Sequence, residues 1–279
     1  MNKTTKLLSM AAIASLALTA CSKNDTDENP DQLKAVELTA ANAVSEYAYN
    51  DAYVQVMSAN SDNDLMGRGG DQSGDYSRCG SVTVVPADPG VFPKTVTVDF
   101  GAACQSPGGI TREGKIIYTI SDRFYNTGAN ISASFDGYKV NGIAVAGTYT
   151  ITNNGSGNGN GLAISTSVTG GSITLLTGTV YNYSGNKTIT QTAGTGTFDI
   201  ADDEFSISGS SNASNSNGQS LSSTITSNLI VKNSCRNVVQ GISAFTYNNV
   251  SGTIDYGNGN CDNKAIIQIG NWTTEVTLP

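Results

Sequence analysis

The sequence predicts an all-β fold, an antiparallel meander curled into a barrel-like or half-pipe sheet, with one N-terminal helix. Three observations carry this expectation. Only 14% of the residues are charged while 31 of 279 are glycine, and Ser, Thr and Asn fill much of the rest, a composition of short strands and many turns. From Val82 onward apolar and polar residues alternate with period two, as in strands with one buried and one wet face. Upstream, residues 33–59 show helical spacing instead. The length suffices for one large β core.

Residues 1–20 stand outside that core. "MNKTTK" brings two lysines, "LLSMAAIASLAL" a short apolar run and "LTAC" small residues up to Cys21, the layout of a secretory signal peptide. The form L-T-A-C resembles the lipobox of bacterial lipoproteins, in which the Cys is acylated and becomes the new N-terminus. Lipidation is therefore expected at Cys21, and its acyl chains supply stable membrane attachment. Residues 21–32, "CSKNDTDENPDQ", are polar and acidic and read as a flexible tether that reaches at most about 40 Å. Ser22 is not the retention Asp of inner-membrane lipoproteins, and Asp25, Asp27 and Glu28 look like a surface-export signal. The expected address is the outer membrane, lipid-anchored, at the cell surface or else facing the periplasm.

Within residues 33–59, Leu33, Val36, Ala40, Ala43, Val44, Tyr47 and Val54 mark an apolar stripe, so an amphipathic helix is expected to pack on an end or face of the sheet, as a plug or a cover. Residues 60–78 are Gly- and Asp-rich and read as a loop. Residues 60–279 then form a single β domain. "KTVTVDF" alternates Val96, Val98 and Phe100 against Thr95, Thr97 and Asp99; "GTYTITN" does the same around Tyr149 and Ile151. Further strands are expected at 114–121, 130–136, 142–152, 162–168, 172–182, 187–200, 204–209, 221–232, 238–246, 250–256, 264–269 and 272–278. "GSGNGNG", "TGG", "YSGN" and "ADDE" separate them as turns.

The phrase "TVDFGAAC" at 97–104 returns as "TIDYGNGNC" at 253–261. Cys79 and Cys104 bound one unit and Cys235 and Cys261 the other, with separations of 25 and 26, and a new strand follows each closing Cys ("KIIYTI", "KAIIQI"). This is an internal repeat, over 79–120 and 235–270, of a hairpin with a Cys at each open end. Four cysteines allow three pairings, and the repeat selects Cys79 with Cys104 and Cys235 with Cys261. Export makes disulfides possible; a zinc site is disfavoured because the chain has neither Cys-x-x-Cys nor histidine.

The stretch "LIVKNSCRNVVQGISAF...VSGTIDYGNGNCDNKAIIQIGNWTTEVTL", with "FDGYKVNGIAVAGTYTITNNG" and "DDEFSISGSSN", resembles a group of uncharacterised Bacteroidetes-type outer-membrane lipoproteins over most of residues 79–279. The resemblance implies an exported all-β lipoprotein. It brings no substrate and no catalytic residue.

Chemistry is bounded by what is missing. No His is present among the 279 residues, which removes Ser-His-Asp and Cys-His nucleophile systems and the usual near-neutral general base. Removing Lys3 and Lys6 with the signal leaves 13 bases against 23 acids, a formal charge of −10; such a surface is unsuited to phosphate backbones, so no nucleic acid partner is expected. Asp202, Asp203 and Glu204 are the best carboxylate group for glycan hydrolysis, yet they fall where a hairpin turn is expected. Asp62, Asp64 and Asp71 lack calcium-loop spacing, and Asp99 and Asp255 should face water or accept a bond from the following Gly turn. "GSGNGNG" lacks the helix that a phosphate loop needs. Trp272 reads as core or edge cover, and Tyr118, Tyr125, Tyr138, Tyr149, Tyr181 and Tyr183 would stack sugars if several shared the wet face. The expectation is a lipid-anchored, non-enzymatic envelope protein that binds or builds, without metal or cofactor. A carrier of an acyl chain or glycan in the concave groove is the alternative, a carboxylate glycan hydrolase the weaker one. Glycan, lipid or another envelope protein are the candidate partners beyond the membrane.

Overall fold

The computed structural model describes residues 30–66, 79–106, 109–156, 161–195, 202–232, 234–235, 238–262 and 264–277. Helix α1 (Pro30–Asp62) precedes fourteen strands. These are β1 (Ser81–Val85), β2 (Lys94–Asp99), β3 (Cys104–Gln105), β4 (Thr111–Ile120), β5 (Asn130–Val140), β6 (Ile143–Ser156) and β7 (Leu162–Thr174). There follow β8 (Val180–Ala193), β9 (Glu204–Asn215), β10 (Ser220–Lys232), β11 (Val238–Tyr247), β12 (Val250–Asn258), β13 (Lys264–Ile269) and β14 (Trp272–Thr277). All belong to one antiparallel sheet whose spatial order follows the chain, with β3 beside β2 on the same edge of β4. The sheet does not close: β1 and β14 are its free lips. The expected half-pipe meander with one N-terminal helix is what the chain forms.

Curvature has a local cause. Register slips fall opposite Lys115/Ile116 of β4, where the extra residue is on β5, and at Ala146/Thr148 of β6 and again at Val168/Gly171, where it is on β7. Another falls opposite Gln240/Ile242 of β11, where it is on β12, giving bulges on β5, β7 and β12. Each bulge bends and twists its strand, and aligned bends curl the whole sheet. At Gly147 (φ 108°) a Cβ would stand 2.6 Å from the Cα of Gly171, so a glycine on β6 leaves room for the bulge of β7 opposite it. "TGG" is thus a bulge inside β7 and not a turn, and "YSGN" lies within β8; the turn expected at both places forms instead at 175–179, so that 172–182 is the end of one strand and the start of the next.

Helix α1 lies in the trough and touches β2 and β6 to β12. It runs past both predicted ends, taking residues 30–32 from the tether and 60–62 from the loop. The predicted stripe is wrong. Leu33 is exposed and Val36, Ala40, Ala43, Val44, Tyr47 and Val54 are only half-buried, whereas Ala35, Leu38, Ala41, Ser45, Ala48, Ala52 and Ala59 are buried. The small residues permit close approach to a curved sheet, and Leu38, Tyr49 and Val56 supply the bulky contacts of the same buried face. Only four helix positions (Pro30, Leu33, Asn50 and Asp62) are exposed; the helix is enclosed on nearly all sides and is a plug rather than a cover with a wet face.

Candidate functional site

Two polar clusters fix the plug, and both use helix residues that an apolar reading passes over. In the first, Asp51 and Arg112 are buried together: Arg112 Nε donates to Asp51 Oδ2 at 2.8 Å, Nη2 donates to Oδ1, and Tyr138 OH donates to Oδ2 as well. Burial, reinforced by the Asp51 charge, pushes the Tyr138 phenol well above its ordinary range. The ions satisfy each other, which a desolvated pair requires. In the second, Glu46 Oε1 accepts from Lys187 Nζ at 2.8 Å, Ser211 Oγ at 2.9 Å and Asn42 Nδ2 at 3.3 Å. Burial alone would raise the Glu46 carboxyl, but the Lys187 ammonium and these hydrogen bonds together hold it below its ordinary value.

Beside Glu46 and Lys187 the helix and sheet leave a cavity of about 190 Å³. Five tyrosines line it: Tyr47 and Tyr49 from the helix, Tyr149 from β6, Tyr183 from β8 and Tyr256 from β12. Apolar walls come from Val168, Ile189, Ile207, Leu229 and Val238 on β7 to β11. The Tyr49 ring stacks on Tyr183 at 5.2 Å and tilts against Tyr149 at 5.8 Å, while its OH donates to the Ala146 carbonyl on β6, opposite the β7 bulge, at 2.6 Å. Burial raises all five phenols above their ordinary value. They are neutral at physiological pH, and as such donate hydrogen bonds rather than act as phenolate nucleophiles. The arrangement can hold a small amphiphilic group between aromatic faces.

The residues singled out from sequence have other places. Cys79 pairs with Cys104 (Cα–Cα 5.5 Å) and Cys235 with Cys261 (5.1 Å), as the repeat predicts. Cys21 lies outside the described residues. Asp99 and Asp255 each accept the N–H of the glycine two residues on at 2.9 Å, the Gly-turn bond expected of them. Asp203 accepts from Gln191 and Glu204 pairs with Lys232 at 3.4 Å; Asp202 and Asp203 lie in the β8–β9 connection, Glu204 opens β9, and none lines the cavity. Asp64 pairs with Arg123 at 3.3 Å, Asp62 ends the helix, and Asp71 is outside the described residues. Gly155 and Ser156 of "GSGNGNG" belong to β6, and residues 157–160 of that stretch are outside the described residues. Trp272 opens the edge strand β14, half-buried against the core.

The tyrosines did not gather on a wet face. Tyr118 donates to Asn60, Tyr138 to Asp51 and Tyr181 to Glu37, and Tyr149 and Tyr183 line the cavity, so five of the six face the helix; Tyr125 is half-buried in the β4–β5 loop. A trough filled by a helix turns these rings inward.

A polar hollow of about 370 Å³ beside the second bridge is lined in part by Asp255 and Asp262, whose carboxylates are used by the backbone N–H groups of Gly257 and Lys264. Among the described residues no three acidic or cysteine side chains gather as a metal site. Glu46, Lys187, Asp51 and Arg112 escaped the sequence reading, although parity held the signal: Lys187 shares the inward phase of Tyr181 and Tyr183 on β8, and Arg112 that of Ile116 and Tyr118 on β4. Compared with family models, curated proteins and solved structures, the chain finds no match.

Proposed function

We propose that the protein is a lipid-anchored envelope lipoprotein, tethered through acyl chains on Cys21, with a non-enzymatic binding or structural role. One observation carries the non-carrier reading: the concave trough, where a cargo would sit, is occupied by the protein's own helix. The residual gap of about 190 Å³ is smaller than the roughly 300–1,000 Å³ of ordinary ligand pockets. Two disulfides fit an oxidising compartment outside the cytosol, and they take up every cysteine except the one in the L-T-A-C motif. The resemblance to Bacteroidetes-type lipoproteins points to the same address.

The carrier reading stays second because of the tyrosine-lined gap itself, which suits a ring or a short chain segment. Native mass spectrometry of the full chain, purified without detergent, separates the two. A scaffold gives the mass of the acylated chain alone, and a carrier retains an extra lipid or glycan mass. Metabolic labelling with a fatty acid should tag the wild type and spare Cys21→Ala; equal labelling of both would sink the anchor.

A further inference from the structure

We propose that the end of the half-pipe bearing the helix N-terminus is a membrane-facing rim, which rests a few ångströms from the bilayer and dips Leu176 and Val180 into its surface. This rests on the reading of Cys21 as the lipid anchor.

Five hairpin tips meet at that end: 141–142, 175–179, 216–219, 248–249 and 270–271. They step along the helix, from Asn248, which donates to Asp31, to Asn141, which donates to Tyr47. None of the five contains Lys, Arg, Asp or Glu. The opposite end carries Asp88, Asp122, Arg123, Asp202, Asp203 and Asp262 in its loops. In a chain this acidic, an end whose five hairpin tips carry no charge meets an anionic lipid surface with less repulsion than one whose loops are acidic, although Asp31 of the helix stands beside the 248–249 tip.

The uncharged end also exposes apolar side chains. Leu176, in the β7–β8 tip, is 69% exposed and Val180 43%. Leu33, 41% exposed, lies one helical turn before Glu37, which accepts the Tyr181 hydroxyl at 3.0 Å, so it stands beside the same tip. Trp272, the one tryptophan of the chain, opens β14 directly after the 270–271 tip; indole rings favour the membrane–water interface.

Tether length selects the orientation. From Cys21 to Pro30 the chain spans at most about 30 Å, and the 33-residue helix is about 50 Å long. With the helix upright and its C-terminal corner, where Phe124 bonds Leu65, set on the lipid, Pro30 would stand beyond the reach of the anchor.

The test uses the full, acylated chain in vesicles of phosphatidylcholine and phosphatidylglycerol with bromines on the upper acyl chains. Leu176→Trp, in a Trp272→Phe background, places the one fluorophore at the rim. Val91→Trp in the same background places it at the far end, where Val91 is comparably exposed at 46%. The expected result is flotation of both proteins with the vesicles, with quenching of the rim fluorophore by at least about twofold and none of the far one. Flotation with equal quenching, or with none, overturns the rim. Failure to float overturns the anchor reading and the rim with it, a distinguishable result. Val180→Trp gives an independent readout should the Leu176 change disturb the tip.

Discussion

The two stapled hairpins are alike in themselves and different in what lies beneath them. In each, an aspartate between two inward residues accepts the N–H of a glycine, Val98-Asp99-Phe100-Gly101 on one lip and Ile254-Asp255-Tyr256-Gly257 near the other. Their strands run in opposite directions: counting along the meander, β2 and β12 are antiparallel, so the echo in sequence is a rotation in space rather than a translation. Phe100 packs on Tyr138 at 5.6 Å, above the buried Asp51–Arg112 pair, while Tyr256 lines the cavity by Glu46. The motif dictates the hairpin and its staple; the neighbours decide whether the floor is sealed or gapped.

That contrast sets the expected effects. Asp51→Ala should be the most damaging change, costing about 3–5 kcal/mol, because it strands a buried guanidinium. Glu46→Ala should cost less, since Lys187 and Glu46 keep 15% and 26% of their side-chain surface exposed and water can take over. Urea unfolding measures both, and equal losses would erase the distinction between sealed and gapped floors. Next come the staples. Replacing either cysteine pair by serine opens a loop of 25 or 26 residues and should cost about 3 kcal/mol in each case, so the two double variants should have matching urea midpoints; non-reducing peptide mapping fixes the pairing independently.

Smaller effects sharpen the comparison. Val238→Ile adds a methylene toward the gap and should gain up to about 1 kcal/mol, whereas Val96→Ile, in the filled region under the first hairpin, should lose about 1–3 kcal/mol by overpacking. The same sign for both would mean the gap is not free space. The last effect is on acid sensitivity. The Glu46 carboxyl is held below its unfolded value by Lys187, Ser211 and Asn42 despite burial; this contribution is complete above the unfolded value near 4.5 and fades as pH falls through the folded one. Wild type should therefore lose more stability than Glu46→Gln between pH 5 and pH 3, a window set by that lowered carboxyl; parallel curves would remove Glu46 as a source.

Much of the sheet was legible because period two survives wherever one face meets the helix, as at Val96, Val98, Tyr149 and Ile151, all buried. The staples were legible because the repeat is written in the cysteines themselves. Glycine misled: a Gly pair reads the same in a turn and in a bulge, and only the partner strand shows which it is, as Gly147 opposite Gly171 does. Hydropathy misled in the helix, where Ser45, Asp51 and Gln55 are buried; the partners of Asp51, Arg112 and Tyr138, come from strands remote in sequence. Lysine at an inward position was a sign in plain view. Lys187 finds Glu46, Arg112 finds Asp51, and Lys94 turns its ammonium to the carbonyls of Pro86 and Asp88 over the Phe92 ring at 5.2 Å. Each marks a place where the strand pattern admits a charge only because something answers it.

The order of the chain has a consequence for assembly. Every strand pairs with one close to it along the polypeptide, so the ribbon can zip progressively through short closures. The helix is made first but finds its partners last: Tyr181 stands 144 residues from Glu37, and Ser211 stands 165 from Glu46. Its docking closes the longest of these separations, and it is the step that converts a self-paired ribbon into a filled, single-shaped body.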